Sequence, residues 1–475
     1  MVDRSPMRVL AMVLALLVMA SACTDAGETS TPAVPDDADR VAADSEGSRQ
    51  VGEVQGTTTE NAVDPEALAS EEGEGAGSDA VIGETASTDP QAGEAAAELG
   101  DGSEAVDEGD PATQAPAAAP AQNALDAPSD TPLDALVTEL ITFVEAERGL
   151  TFLERPPVQV LDSGSFNDAW QELVLREAQG DASEFANFTD IYQAVGIIDD
   201  GRELDEIWAR FGDAGVVGYY DTETGGVVLR SGELTTFTET VLVHELVHAL
   251  EDQVFGLDRG SDAENDELAW TFSALVEGSA RVIEARYRAT LTPAELNEEA
   301  AARNSIPRSV SLNEFTPSFL ELQFGRYDYG EDFASALWET GQERLDAAYA
   351  DPPATSEAVV NPEAFLSGAD LVEALDFPPA EGDVFEQGVW GQAGVAALLT
   401  DVFDRGEALE ISQGWGNDRF VAWRDGEVSC VRIHVSADSP EALDRYADAF
   451  EEWAQLGDRQ IFFPTADLIR VTSCG

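Results

Sequence analysis

Apolar residues recur at helical spacing in several segments of this chain. After Thr131-Pro132 they stand on one side of a predicted helix, with Pro132 at its first position, where a missing N–H costs nothing. Similar periodicity elsewhere predicts further helices. Their approximate ranges are 166–178, 185–195, 237–255, 265–288, 332–340, 391–403 and 440–456.

Shorter apolar runs between turn residues predict strands. Two of them, Val216–Tyr220 and Val227–Arg230, are joined by a turn-rich loop and predict a β-hairpin directly before helix 237–255. Near the end of the chain, Asp425-Gly426 joins two more runs in a second hairpin. The full set of predicted strands is 158–161, 216–220, 227–230, 419–423, 429–435 and 467–474. The pattern predicts a mainly helical α+β protein with a small C-terminal α+β lobe.

Helix 237–255 is apolar on nearly all sides, which is typical of a buried helix. Thr236 and Glu239 predict a capping box at its start, and Gly256 a stop at its end. Two of the three histidines of the chain, His244 and His248, lie inside it.

These histidines and Glu245 form the pattern H-E-x-x-H. Positions i and i+4 share one face of a helix, so His244 and His248 can direct both imidazoles at one metal ion, and Glu245 can reach a water bound to it. Neutral imidazole is a good Zn²⁺ ligand, and catalytic zinc keeps one position open for water. The pattern predicts a zinc site with Glu245 as the general base. Two histidines in a buried helix without a metal are the structural alternative.

A third ligand is expected from the following helix, 265–288. If the two helices pack antiparallel, a rise of about 1.5 Å per residue brings the level of the histidines to roughly the tenth residue of the second helix, close to Glu277. Small residues around Glu277 allow a close approach of the two helices. Glu267 and Glu284 are the reserve candidates, and a surface pair of Glu277 with Arg281 is the structural alternative.

His244-Glu-Leu-Val-His248 followed by Leu275-Val-Glu277-Gly resembles the gluzincin zinc peptidases, the thermolysin-like superfamily. The longer segments 243–253 and 274–278 are similar to exported bacterial proteins of this type. The resemblance implies a zincin-like core, Zn²⁺ as cofactor, and a peptide or protein substrate. Where such proteins often carry an acid two residues after the ligand glutamate, this chain has Ser279, so Asp252 is a candidate to support the site instead.

Two tyrosines are candidates to stabilise the oxyanion that such a reaction forms. Tyr327 and Tyr329 lie in the segment before helix 332–340, and no histidine is near them in sequence. Packing with a solvated hydroxyl is the alternative role for both. His434, the third histidine, alternates onto the face of Cys430 in a predicted strand, which favours a structural role.

The N-terminus predicts export. Arg4 and Arg8 precede an apolar run, Val9–Met19, that is too short for a permanent membrane helix, so residues 1–22 are a predicted signal peptide. Ala20-Ser21-Ala22 before Cys23 resembles a bacterial lipobox, which predicts lipidation of Cys23 and a membrane attachment by lipid anchor only. With Ala20 in place of the usual leucine, ordinary cleavage and secretion is the alternative.

Composition separates the remainder into two parts. Residues 23–130 lack aromatic side chains and are rich in Ala, Gly, Pro, Ser and acidic residues, so they predict a disordered tether. Residues 131–475 are long enough for the metallopeptidase-like domain. In it, Cys430 and Cys474 lie in strand-like runs, and export would oxidise them to a disulfide.

The charge balance argues against two classes of partner. The chain has 25 Lys+Arg against 94 Asp+Glu, a formal charge of -69, which argues against nucleic-acid binding and against adsorption to anionic lipids. The sequence therefore favours a zinc peptidase outside the cytoplasm, and nothing in it specifies an oligomeric state. The alternatives are a non-catalytic surface lipoprotein that retains the fold and metal, and a metal-dependent hydrolase of non-peptide bonds.

Overall fold

The structure is a computed structural model that describes residues 14–17, 131–180, 182–230, 234–258, 266–305, 310–368 and 375–475. The predicted lipidation site Cys23, the predicted tether and most of the predicted signal peptide lie outside these residues. In the part of the chain that is described, no helix has the length and apolar content needed to cross a membrane.

The protein is an α+β protein in which helices predominate, as predicted. Its helices are α1 (Pro132–Arg148), α2 (Ser163–Gly180), α3 (Ala182–Val195), α4 (Leu204–Gly215), α5 (Thr236–Phe255), α6 (Asp266–Thr290), α7 (Pro293–Ser305), α8 (Pro317–Thr340), α9 (Gln342–Ala350), α10 (Ser356–Val360), α11 (Pro362–Ser367), α12 (Gly391–Leu399), α13 (Arg405–Ser412) and α14 (Pro440–Trp453). Its strands are β1 (Leu14–Leu17), β2 (Val158–Leu161), β3 (Val216–Asp221), β4 (Gly226–Arg230), β5 (Asp383–Gly388), β6 (Trp415–Asp425), β7 (Val428–Ala437), β8 (Arg459–Thr465) and β9 (Leu468–Cys474).

One hydrophobic core surrounds α5. Apolar side chains of α1, α5, α6 and α8 join those of β3 and β4 in a single buried cluster. The predicted hairpin is confirmed, because β3 and β4 pair antiparallel, and they belong to a four-stranded sheet of order β1-β3-β4-β2. In this sheet β2 runs parallel to β4, and β1 pairs antiparallel with β3. The helix with the H-E-x-x-H pattern therefore lies between a sheet and other helices.

A second core fills the C-terminal lobe. There, five antiparallel strands in the order β5-β6-β7-β9-β8 pack with α14, and α2, α3 and α4 contribute to the same cluster. The predicted hairpin and last strand are confirmed as β6, β7 and β9, whereas α4, β5 and β8 have no counterpart in the prediction. Cys430 pairs directly with Cys474 across β7 and β9, and the two form the predicted disulfide.

Helix α8 is longer than the sequence predicts. The predicted helix 332–340 covers only its last part. Glycine often interrupts a helix, and this segment contains Gly325 and Gly330. Both glycines are inside the helix. A Cβ on Gly330 would lie 2.2 Å from the carbonyl oxygen of Ala274, and one on Gly278 would lie 1.9 Å from that of Gly330. Gly278 and Gly330 therefore allow the backbones of α6 and α8 to touch.

The start of α5 differs by one residue from the prediction. Thr235, not Thr236, is the N-cap, and its side chain accepts from the N–H of Thr238, whose own side chain completes the capping box. The predicted partner, Glu239, accepts a hydrogen bond from the hydroxyl of Tyr287 at 3.0 Å instead. An N-cap residue lies outside the helix, and Thr235 has an extended backbone, whereas Thr236 is already the first residue of α5.

A buried ion pair fixes α5 one turn after His248. Oε1 of Glu251 accepts from Nε of Arg148 at 2.7 Å, and both side chains are fully buried. The same carboxylate accepts from the hydroxyls of Ser279 and Tyr349, and Arg148 also bonds Asp346 at 2.8 Å. The network joins α5 to α1, α6 and α9. Because the partners lie far apart in sequence, no local pattern indicates it.

We expect the substitution Arg148→Met to destabilise the domain strongly. It leaves the Glu251 carboxylate buried without its cation, and breaking a buried pair in this way costs about 3–5 kcal/mol. The matched control is Arg210→Met, which removes an ion pair with Glu314 in which both side chains are more than two-fifths exposed. We expect that change to cost far less than Arg148→Met, because an exposed ion pair contributes little to stability. Urea unfolding followed by circular dichroism measures both, and equal losses would contradict the assignment.

Candidate metal centre

Two adjacent helices bring together His244, His248 and Glu277. Oε2 of Glu277 lies 3.2 Å from Nε2 of His244 and 3.4 Å from Nε2 of His248. All three side chains are fully buried, and one potential ligand atom from each lies within 4.8 Å of the other two. The structure thus forms a group that could hold a metal ion, with Glu277 in the place that the helix geometry predicts.

The two reserve candidates lie elsewhere. Oε2 of Glu284 is 3.3 Å from Nδ1 of His244, on the side of the ring that faces away from Glu277. Arg281 holds the Glu284 carboxylate from the other side at 3.1 Å. Glu284 therefore orients the imidazole and is not placed as a third ligand. Glu267 accepts from the N–H of Ser356 and is separate from the histidines.

Burial and hydrogen bonding set the charges of the centre. Burial alone would lower the pKa of His244, but the carboxylates of Glu277 and Glu284 outweigh it and raise that pKa to about 9. For His248 burial prevails and lowers the pKa. Burial would raise the pKa of Glu277, yet the two imidazoles lower it to about 2. Without a metal, the centre is thus a protonated His244, a neutral His248 and an ionised Glu277.

Strand β3 passes directly beside Glu245. A Cβ on Gly218 would lie 3.0 Å from Oε1 of Glu245 and 2.7 Å from the side chain of Val241. Only glycine at this position lets the strand approach the carboxylate so closely. The sequence analysis does not identify Gly218, and its only sequence signal is a glycine inside a strand otherwise made of large residues.

Of the two candidate tyrosines, one reaches the centre. The ring of Tyr327 lies at 30° to that of His244, with 6.4 Å between centroids, and its hydroxyl interacts with Glu277. Burial and then the Glu277 charge raise the pKa of Tyr327 well above its ordinary value, so the hydroxyl keeps its proton and remains a donor. Tyr329 points elsewhere on α8, where its hydroxyl donates to Glu321.

The structure gives Asp252 a different role from the predicted support of the site. Its carboxylate accepts from the hydroxyl of Tyr220 at 2.8 Å and from the N–H of Leu257 at 2.7 Å, so it ties the end of α5 to β3. The neighbouring Glu251 is the carboxylate that contacts Ser279. His434 lies in the C-terminal sheet, where Nε2 accepts from Arg470 at 3.0 Å, in agreement with a structural role.

The donor set fits a metal ion. Oε1 of Glu277 is buried and has no hydrogen-bond partner among the described residues, and Nε2 of His248 has only its 3.4 Å contact with Oε2 of Glu277. Buried polar atoms in this state cost free energy, which coordination would recover. Two imidazole nitrogens and a carboxylate are also a common ligand set for divalent transition metals.

No model of a protein family, no curated protein and no solved structure matches this chain. The assignment of the centre therefore rests on its own geometry.

Replacing the ligand residues should abolish metal binding. We expect the purified protein to bind one metal ion per chain, and His244→Ala or Glu277→Ala to retain less than about a tenth of it, since each removes one of only three protein ligands. His434→Ala is the matched control and should retain full stoichiometry. Elemental analysis by mass spectrometry after gel filtration measures the content. Equal metal content in His244→Ala and His434→Ala would contradict the assignment.

Metal uptake should release a proton from His244. A pKa of about 9 means that this imidazole is protonated at pH 8 and must become neutral to bind a metal. In Glu284→Gln one of the two carboxylates that raise this pKa is absent, so we expect less proton release at pH 8. Calorimetry of metal binding in buffers of different ionisation enthalpy counts the protons. Any proton from a metal-bound water is common to both proteins, so an identical release would refute the role of Glu284.

Proposed function

We propose that this protein is an exported zinc peptidase with a gluzincin-like centre, in which His244, His248 and Glu277 hold the metal. The observation that carries the proposal is the spacing of the donor atoms. In a tetrahedral site with bonds of about 2.0 Å, neighbouring ligand atoms lie about 3.3 Å apart. The contacts of Glu277 with the two imidazoles are 3.2 and 3.4 Å. This agreement favours Zn²⁺ as the cofactor.

The residues around the centre have distinct tasks. Bound zinc would polarise a water molecule and lower its pKa towards 7. Glu245 accepts a proton from the attacking water and delivers it to the leaving amine. Tyr327 donates its hydroxyl hydrogen to the oxyanion that develops on the carbonyl. Glu284 holds His244 in the orientation that presents Nε2 to the metal.

Strand β3 offers a place for an extended peptide. In the described chain its outer edge pairs with β1, and Leu16 is the partner of Gly218, the residue beside Glu245. β1 belongs to the predicted signal peptide, and removal of residues 1–22 would expose the backbone groups of this edge. A peptide that paired there would run past Glu245, as in other complexes formed by strand addition.

Export and attachment remain part of the proposal. The Cys430–Cys474 disulfide supports an oxidising compartment outside the cytoplasm. The lipobox-like sequence before Cys23 favours a lipid anchor on the outer face of the membrane, and secretion follows if Cys23 is not lipidated.

One observation favours a non-catalytic alternative. His244, Glu245, His248 and Glu277 are all fully buried, with β1 along the neighbouring strand. A centre closed in this way also suits a surface lipoprotein in which the metal only stabilises a binding or scaffold module. The peptidase proposal requires that the mature chain, starting at Cys23, admit a substrate.

Glu245→Gln separates the two functions. Glutamine cannot accept the proton, so we expect cleavage of an unfolded protein substrate to fall at least about 100-fold, while zinc content stays at one per chain. Glu239→Gln, on the same helix but bonded to Tyr287, is the matched control. Chelator-sensitive cleavage and zinc content should be measured for both variants, starting from the mature chain.

Three results would count against the proposal. If the mature wild-type chain binds zinc but shows no chelator-sensitive cleavage of any unstructured protein, the binding module is favoured. If instead it cleaves ester or other non-peptide substrates alone, it is a hydrolase of another class. Undiminished cleavage by Glu245→Gln would remove Glu245 from its role as base.

A further inference from the structure

A small, largely aromatic cavity lies at the N-terminal end of α6. It measures about 40 Å³, and its lining includes Asp266, Tyr192, Trp270 and Trp390. Asp266 and Glu277 are eleven positions apart on one helix, so the cavity is about 16 Å from the metal centre along the helix axis. It is therefore distinct from the proposed peptidase site.

Two polar atoms of the residues that line this cavity lack a hydrogen-bond partner among the residues that the structure describes. Oδ1 of Asp266 and Nε1 of Trp390 are buried, and neither forms a hydrogen bond in the described part of the protein. A buried donor or acceptor without a hydrogen bond costs free energy, whereas a polar guest in the cavity would bond to both atoms. Among the described residues, no group satisfies these two atoms, so the cavity is suited to a polar guest.

The surroundings of Asp266 are strongly negative. Burial, and then the charges of Glu386, Glu184 and Glu267, raise the pKa of its carboxyl well above the ordinary value. A nearby guanidinium, Arg326, bonds Gln323 and Ser273 and forms no ion pair with Asp266 among the described residues. A cation in the cavity would relieve this repulsion and stabilise the ionised carboxylate.

The walls favour an organic cation over a metal ion. Phe188, Tyr192, Trp270 and Trp390 contribute aromatic rings to the lining, and aromatic faces attract ammonium groups. In the described chain, three ligand atoms from His, Cys, Asp or Glu converge within 4.8 Å only at His244, His248 and Glu277. The acids near Asp266 therefore do not form a metal cage.

The volume of the cavity limits the size of the cation, and the lysine content of the chain limits where the cation can come from. A buried water needs about 10–15 Å³ of cavity volume, so this cavity holds roughly three water-sized groups. That is enough for a primary ammonium group and a short alkyl stem. The chain contains no lysine. An ammonium group from a lysine must therefore come from another molecule.

We propose that the cavity bounded by Asp266, Trp270 and Trp390 binds the primary ammonium group of a second molecule, either a small free amine or a lysine side chain. The ammonium donates to Asp266 and lies against the aromatic rings. The site is independent of the metal centre and of the proposed peptidase activity.

Methylammonium chloride is the first probe, with methanol as its neutral match and potassium chloride as the ionic control. In the metal-loaded full chain, we expect methylammonium to change the tryptophan fluorescence saturably, with an affinity at least tenfold higher than that of methanol or potassium. This comparison uses only the wild-type protein. Equal responses to methylammonium and methanol would overturn the proposal.

Asp266→Asn tests the carboxylate. It should weaken methylammonium binding at least tenfold without lowering the melting temperature, since burial and the neighbouring acids favour the neutral carboxyl in the free protein, and asparagine resembles that form. Glu410→Gln, which changes an exposed acid on α13, is the matched control and should bind like the wild type. Unchanged binding in Asp266→Asn would refute the site, whatever the metal content.

Two peptides identify the source of the ammonium group. N-acetyl-Gly-Lys-Gly carries the lysine side chain as its only ammonium group, and the same acetylated peptide with norleucine carries a side chain of similar length without the charge. If the lysine peptide binds tighter than methylammonium, a protein lysine is the natural ligand. If methylammonium binds and the lysine peptide does not, a small free amine is the ligand. Binding of both peptides with equal affinity, with no preference for methylammonium over methanol, would contradict the proposal.

Discussion

The structure depends on one constraint: a helix buried on all sides carries ionisable side chains that must be neutralised without water. His244, Glu245, His248 and Glu251 are fully buried on α5. A charge in such surroundings is tolerated only when a partner is close. The helices packed around α5 supply those partners. α6 contributes Glu277, Glu284 and Ser279, α1 contributes Arg148, and α9 contributes Tyr349. The packing of these helices therefore also determines which polar or charged groups lie beside the ionisable side chains of α5.

Much of the centre could be predicted because its information is local. The spacing of His244 and His248, the apolar surroundings of α5 and the hairpin before it all lie within about forty residues of each other. Glu277 could also be predicted, because in two antiparallel helices joined by a short connection, residues equally far from the connection lie opposite each other. The disulfide followed from the cysteine count and the neighbouring strands. The lipidation of Cys23 remains a prediction.

The rest could not be predicted, since it depends on contacts between distant segments. Arg148 and Glu251 are 103 positions apart. Gly330 is a helix breaker in sequence terms, but in the fold it is the point where two backbones meet, so α8 continues through it and carries Tyr327 to the metal centre. Glu284 has the right residue type for a ligand. The packing of α6 against α5 puts it on the far side of the imidazole, and its spacing from Glu277 does not reveal that.

The contact of Gly278 with Gly330 also limits which substitutions this part of the protein tolerates. Side-chain packing between helices tolerates drift, because a larger residue on one side can be offset by a smaller one opposite. Here the main chains themselves touch, so there is no side chain to trim in exchange for an added methyl group. The interval between Glu277 on one helix and Tyr327 on the other is thus set by contact between main chains, not by the fit of side chains. Substitutions on the outer faces of α6 and α8 leave that interval unchanged, whereas any side chain added at Gly278 or Gly330 would widen it.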